Sequence, residues 1–125
     1  MLPSLLVLQG LIDEGETPAQ AALRELKEEC GYVGEVTSVS PYLAMSPGMT
    51  NESIKLVTVN VDLNLPANQT PKQELDEGEF CEVLKVPTAS LLEELVAFDK
   101  AGVKVFTGLW CLAHGMSMSV AAAAK

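Results

Sequence analysis

Cationic side chains, histidine and aromatic rings are all scarce in this chain, and each scarcity removes a class of function. Eight lysines and arginines stand against 17 aspartates and glutamates, a net charge of −9 at pH 7. Non-specific nucleic-acid binding needs a cationic surface to neutralise phosphates, so no nucleic-acid partner is expected. If the substrate is itself an anion, a bound cation has to supply most of the local positive charge. The single histidine, His114, and the three cysteines, Cys30, Cys81 and Cys111, include no Cys-x-x-Cys pair. Zinc binding and a disulfide framework are thereby set aside in favour of reduced thiols in the cytoplasm or nucleus. The apolar run Leu5 to Leu8 has no basic flank and is too short for a signal peptide or a membrane span, so no membrane partner is expected. One tryptophan, two tyrosines and three phenylalanines leave few rings on which a base could stack.

What remains is ample for one packed domain over residues 1–125, since 48% of the side chains are hydrophobic. Leu5 to Leu8 reads as a buried strand and Gly10 to Glu16 as a loop turning at Gly15. Thr17, Pro18 and Gln20 then form a helix start: an N-cap, a proline at the first helical position and the partner of a capping box. Ala19, Ala22, Leu26 and Cys30 make an apolar stripe, and Gly31 is the stop. Val36 to Met45 reads as extended with a break at Pro41, Ser46-Pro47-Gly48 as a turn, and Ile54 to Leu63 as an alternating strand. Asn64 to Gly78 is a long acidic loop of the kind that often serves as a lid. Glu79 to Val86 is predicted as a strand ended by Pro87. Ser90 to Ala101 is predicted as a helix with a second capping box at Ser90 and Glu93 and a stop at Gly102. Thr107 to about Met118 is the last predicted helix, with 119–125 a small-residue tail that frays or extends it. This order predicts an α+β fold in which helices flank a mixed sheet.

The chemistry lies on the first helix. Glu25, Glu28 and Glu29 are spaced i, i+3 and i+4 and so share one face. They also occupy its C-terminal half, where the helix dipole disfavours anions. One reading is a solvated acidic face balanced by Arg24 and Lys27. The other is a site for Mg²⁺ or Mn²⁺, which hard carboxylate oxygens suit. Arg24, four residues before Glu28, can orient a carboxylate through a charge-assisted hydrogen bond.

The wider spacing separates these readings. From Gly10 the chain runs through five residues to Glu16 and seven more to Arg24-Glu25-Leu26. One residue then precedes Glu28-Glu29, and one more precedes Gly31-Tyr32. These nine positions resemble the Nudix box at every fixed point. The resemblance implies a Nudix-type α/β/α sandwich around a mixed sheet, and hydrolysis of the pyrophosphate link of a nucleoside diphosphate joined to another group. It implies Glu25 and Glu29 as metal ligands with Glu28 beside them, Arg24 and Glu16 holding loop and helix in register, and the backbone carbonyl of Gln9 joining the metal shell. Ser46 to Glu52, with Pro47 sixteen residues after Gly31, is similar to the signature of ADP-ribose and nucleotide-sugar pyrophosphatases in this family. Gly10 to Pro18 and Gly78 to Val83 are similar to the same branch.

By that resemblance Glu79 is the loop carboxylate that completes the metal site or orients the attacking water. Leu11, Met45, Ser46 and Gly48 line the substrate pocket, and ADP-ribose or a related nucleoside diphosphate sugar yields AMP and a sugar phosphate. Met45 also fits an ordinary core position, Glu79 a plain surface acid, and His114 packing or surface. In this family several strands precede the box, and here it starts at residue 10. The expectation is therefore a chain lacking N-terminal strands, a homodimer where that region is present, and, as the alternative function, a weakly active or inactive module that binds metal or pairs with another chain.

Overall fold

The computed structural model describes residues 10–123, which fall into two compact units, residues 10–83 and residues 84–123. The strand expected at Leu5 to Leu8 lies outside the described residues. Every residue of the expected site that is described belongs to the first unit.

The first unit is built around α1 (Pro18–Cys30). Its start forms as the sequence requires. The Thr17 hydroxyl accepts from the Gln20 amide at 3.3 Å, and the Gln20 side chain accepts from the Thr17 amide at 2.9 Å. The helix ends at Gly31 with φ +74°, whose N–H donates to the Lys27 carbonyl at 2.8 Å. A side chain there would be strained by that φ and would also overlap the Lys72 backbone, so glycine is required twice over. Ala21, Leu26 and Cys30 are buried, as is Tyr32 just beyond the helix. Burial of a side chain the size of Leu26 contributes about 1.5–3 kcal/mol.

The helix packs on β1 (Glu35–Val39) and β4 (Val57–Asn60), an antiparallel pair. Their register slips between Val36 and Ser38, and the Thr37 hydroxyl at the slip donates to the Thr58 carbonyl at 3.1 Å. In β4, half-buried Val57 and Val59 alternate with exposed Thr58 and Asn60. A second antiparallel pair, β2 (Leu43–Ala44) and β3 (Ser53–Ile54), flanks the turn at Ser46. Helices with small antiparallel sheets give the expected α+β class. Both ladders are antiparallel, and no mixed sheet occurs among the described residues.

The segment read as a long loop is anchored within its first half. It contains a short helix, α2 (Pro66–Gln69), and Asn68 within it is buried. Its side chain accepts from the Val33 amide at 2.8 Å and donates to the carbonyls of Val33 at 2.9 Å and Asp62 at 2.8 Å. Asn68→Ala takes their side-chain partner from those part-buried backbone groups and is expected to destabilise the chain by about 1–3 kcal/mol. Urea unfolding followed by circular dichroism measures this; a midpoint within error of the wild type contradicts it. Asn68→Asp is expected to be no better at neutral pH, because a carboxylate would then face two carbonyl oxygens.

Residues 79–86 form no strand among the described residues. Glu79 sits instead in a tight turn, where its amide donates to the Asp76 carbonyl at 3.0 Å.

In the second unit, a 3₁₀ turn (Thr88–Ser90) leads into α3 (Leu91–Lys100), and α4 (Thr107–Ala123) runs beyond the predicted Met118. The expected Ser90 cap does not form. Its hydroxyl donates to the Pro87 carbonyl at 3.3 Å, because the residue is already held in the 3₁₀ turn. Gly102, with φ +89°, follows α3 as expected. Leu91, Leu95 and Ala113 form the core of this unit, with Val86, Leu92, Phe98, Val105 and Leu109 against it. His114 and Trp110 are exposed on α4. No helix among the described residues is long and apolar enough to cross a membrane.

Candidate metal and phosphate site

Arg24 is the hub of the site. Its Nε and Nη2 donate to the two oxygens of Glu16 at 3.0 and 3.1 Å, a two-pronged pairing of guanidinium and carboxylate. Nη2 also donates to the Leu11 carbonyl at 3.0 Å. Nη1 donates to Glu25 at 2.8 Å and to Glu28 at 3.0 Å. One side chain thus ties the loop before the helix to two carboxylates on it. The loop is closed by its own turn as well: the Asp13 amide donates to Glu16 Oε2 at 3.1 Å, and the Glu16 amide donates to the Asp13 carbonyl at 3.0 Å. The Arg24 fork, helped by the Asp13 amide, holds the Glu16 carboxyl below its ordinary range, and the guanidinium is in turn held more firmly protonated.

Gly10 packs where a Cβ would overlap the Glu25 side chain. The first glycine of the pattern therefore leaves room for a carboxylate fifteen residues later. Leu26 and Tyr32, the two apolar positions of the pattern, are both buried.

Glu29 is half-buried, and its carboxyl is pushed upward. Desolvation is the largest cause, followed by the negative charges of Glu25, Glu79 and Glu28. Glu79, whose charge is among those causes, lies fifty residues further on in the chain. The Glu79 carboxylate itself accepts from the Asp76 amide at 3.0 Å. Among the described residues no group of three or more His, Cys, Asp or Glu side chains is gathered closely enough to hold a metal ion, and Glu25 and Glu28 both pair with Arg24. The donor set nevertheless fits a hard divalent cation in kind, being all carboxylate and self-repelling at its centre. Gln9 lies outside the described residues.

The residues expected to line a substrate pocket are less gathered. Leu11 is 83% exposed, and Met45, Ser46 and Gly48 lie on and beside a turn in which the Met49 and Thr50 amides both donate to the Ser46 carbonyl. A shallow depression beside this turn is lined by Tyr42, Leu43, Pro47 and Glu52 among others, and by none of those four. Lys55 lies over the Tyr42 ring, 4.2 Å from its centre, and places a cation near that depression. Cys30, buried and pushed up to about 11 chiefly by desolvation, is a protonated packing residue, and all three cysteines are free.

Two contributors escaped the pattern of spacings. Gln73 donates to the carbonyls of Glu29 at 2.7 Å and Cys81 at 2.9 Å. The Glu74 amide donates to the Glu28 carbonyl at 2.8 Å. Only the placement of an amide and a carboxylate shortly before Glu79 hinted at them.

Comparison with known proteins gives the chain a family. The family model described as NUDIX domain matches residues 3–115. An ADP-ribose pyrophosphatase of Saccharomyces cerevisiae is 44% identical over 110 residues, covering 88% of this chain and 48% of that protein. A putative nudix hydrolase 2 of Caenorhabditis elegans is 44% identical over 111 residues, covering 88% of this chain and 50% of that protein. An ADP-sugar pyrophosphatase of Mus musculus is 46% identical over 88 residues, covering 70% of this chain and 40% of that protein. The chain spans about half the length of the curated relatives it matches.

Proposed function

From the membership of this chain in the Nudix family, which the match over residues 3–115 establishes, we propose that it hydrolyses the pyrophosphate bond of ADP-ribose or a related nucleoside diphosphate sugar. The observation that carries this reading is the Arg24 hub, which ties Glu16 and the Leu11 carbonyl to Glu25 and Glu28 within the Gly10 to Tyr32 pattern. The names of the yeast and mouse relatives, an ADP-ribose pyrophosphatase and an ADP-sugar pyrophosphatase, support the substrate class.

Glu25, Glu29 and Glu79 would hold Mg²⁺ or Mn²⁺, with Glu28 beside them and the Gln9 carbonyl as a further donor. A cation held there would supply positive charge next to phosphate oxygens and make a water easier to deprotonate. Arg24 keeps Glu25 and Glu28 oriented and holds the 11–16 loop on the helix. Glu79, the carboxylate carried by a turn rather than the helix, orients the attacking water and takes up its proton. The oxygen of that water bonds to one phosphorus, the bridging P–O bond breaks, and AMP and a sugar phosphate leave. Leu11, Met45, Ser46 and Gly48 flank the nucleotide.

The purified chain is expected to release AMP from ADP-ribose in the presence of Mg²⁺, and Glu25→Gln is expected to abolish most of that release. Equal AMP release by wild type and Glu25→Gln, or none by either, overturns the hydrolytic reading. A chain that binds Mn²⁺ and releases no AMP is a metal-binding Nudix module instead.

A further inference from the structure

Gln73 lies outside the Nudix box, yet its carboxamide joins two backbone segments of the site. Its two N–H bonds go to two different carbonyls, that of Glu29 at 2.7 Å and that of Cys81 at 2.9 Å. The first carbonyl is among the last four of α1, which have no partner within the helix. The second closes residues 73–81 into a loop, within which the Glu79 amide and carboxylate are bonded to the backbone of Asp76. The neighbouring Glu74 amide, bonded to the Glu28 carbonyl at 2.8 Å, fixes the same point of the helix. The loop that carries Glu79 is thus closed at its base and fastened to the residue whose carboxylate feels the Glu79 charge.

We propose that Gln73 is a positioning residue for the divalent-cation site, holding the Glu79 loop at the end of the helix that carries Glu29. The proposal rests on the reading of Glu29 and Glu79 as cation ligands. A leucine at 73 keeps the bulk and removes both donors. The Glu79 loop then loses its side-chain fastening and keeps only the bond from the Glu74 amide to the Glu28 carbonyl, while the Asn68 clamp and the Arg24 hub stay intact.

The test is Mn²⁺ binding to the full chain, read from the electron paramagnetic resonance signal of free Mn²⁺, with circular dichroism and metal-free melting as checks on the fold. Gln73→Leu is expected to weaken Mn²⁺ about tenfold, the scale on which outer partners of metal ligands act. Glu74→Gln, which removes only the exposed pairing with Lys27 at 3.5 Å, is expected to stay within about twofold of the wild type. The AMP release lost in Gln73→Leu is expected to recover as Mn²⁺ is raised to saturation, with KM for ADP-ribose unchanged. Should Gln73→Leu fail to fold, Gln73→Asn takes its place, because its amide is one methylene too short to reach both carbonyls.

Wild-type affinity in the Gln73 variant overturns the proposal, as does an equal weakening in Glu74→Gln, which would mark general loosening of the loop. If the wild type binds Mn²⁺ but releases no AMP, the hydrolytic reading alone fails, and the Mn²⁺ constants still decide the role of Gln73. A wild type that binds no Mn²⁺ overturns both.

Discussion

Arg24→Lys is expected to lower kcat/KM for ADP-ribose by about 100-fold, although it conserves charge. The reason is the number and direction of donors. The guanidinium makes a two-pronged pairing with Glu16, bonds to Glu25 and Glu28 through a third nitrogen, and reaches the Leu11 carbonyl as well. A lysine ammonium has three donors on one point and cannot span these groups. Its loss of geometry frees residues 11–16 from the helix and leaves Glu25 and Glu28 without the donor that orients them.

Two measurements separate this from simple loss of charge. Hydrogen exchange is expected to quicken at the amides of Asp13 and Glu16 in Arg24→Lys, since the turn they close is braced by that fork. Acid unfolding is expected to change too. The Glu16 carboxyl is held below its ordinary 4.5, so the pair contributes stability that is fully present above pH 4.5 and is lost as pH falls through the lowered value. In Arg24→Lys that contribution shrinks, and the difference in stability between wild type and variant narrows under strong acid. Activity within threefold of the wild type would remove Arg24 from the role assigned to it.

The parts of the site that could be read from the sequence are those in which spacing alone dictates geometry. A Thr-Pro-x-Gln start and a glycine stop delimit a helix wherever they occur, and i, i+3, i+4 places three carboxylates on one face without reference to the rest of the fold. The Gly10 to Tyr32 pattern is local in this sense, and the described structure gives its glycine, arginine and apolar positions a physical reason each. Asn68 and Gln73 are different. A polar residue that bonds to backbone 35 or 44 residues away leaves no periodic trace, so the anchored segment reads as an open lid until its partners are seen.

The misplaced elements have the same origin. Cys81 and Val83 alternate in burial with Glu82 and Leu84, which is what a strand pattern detects, but the Asp76 turn and the Gln73 bond hold this stretch outside any ladder among the described residues. Ser90 and Glu93 have the spacing of a capping box, while the Pro87 carbonyl takes the serine hydroxyl first. The substrate residues were the least legible, because they came from likeness to a turn rather than from any chemical necessity of their types.

Glu29→Gln is expected to move stability and activity in opposite directions. In the wild type the Glu29 carboxyl is pushed above its ordinary 4.5 by desolvation and by the charges of Glu25, Glu79 and Glu28. A raised carboxyl binds its proton more tightly when folded than when unfolded. Its contribution to stability is therefore fully present below pH 4.5 and is lost as pH rises through the raised value. At neutral pH, without metal, the ionised Glu29 is a net burden on the fold. The amide removes that charge, and the metal-free variant is expected to melt about 2 °C higher at pH 7, an effect kept small by the solvent that reaches this half-buried group. The advantage should vanish below pH 4.5, where both side chains are neutral. Hydrolysis is expected to fall about 1000-fold, beyond the about 10–100-fold typical of an outer partner, because a charged donor to the cation itself is gone. Addition of Mn²⁺ should then raise the melting point of the wild type and leave that of Glu29→Gln nearly unchanged. A residue present only for packing or solubility would not combine a more stable metal-free fold with lost turnover and lost stabilisation by metal. A variant that melts lower than the wild type at pH 7, or still gains stability from Mn²⁺, would place the cation elsewhere.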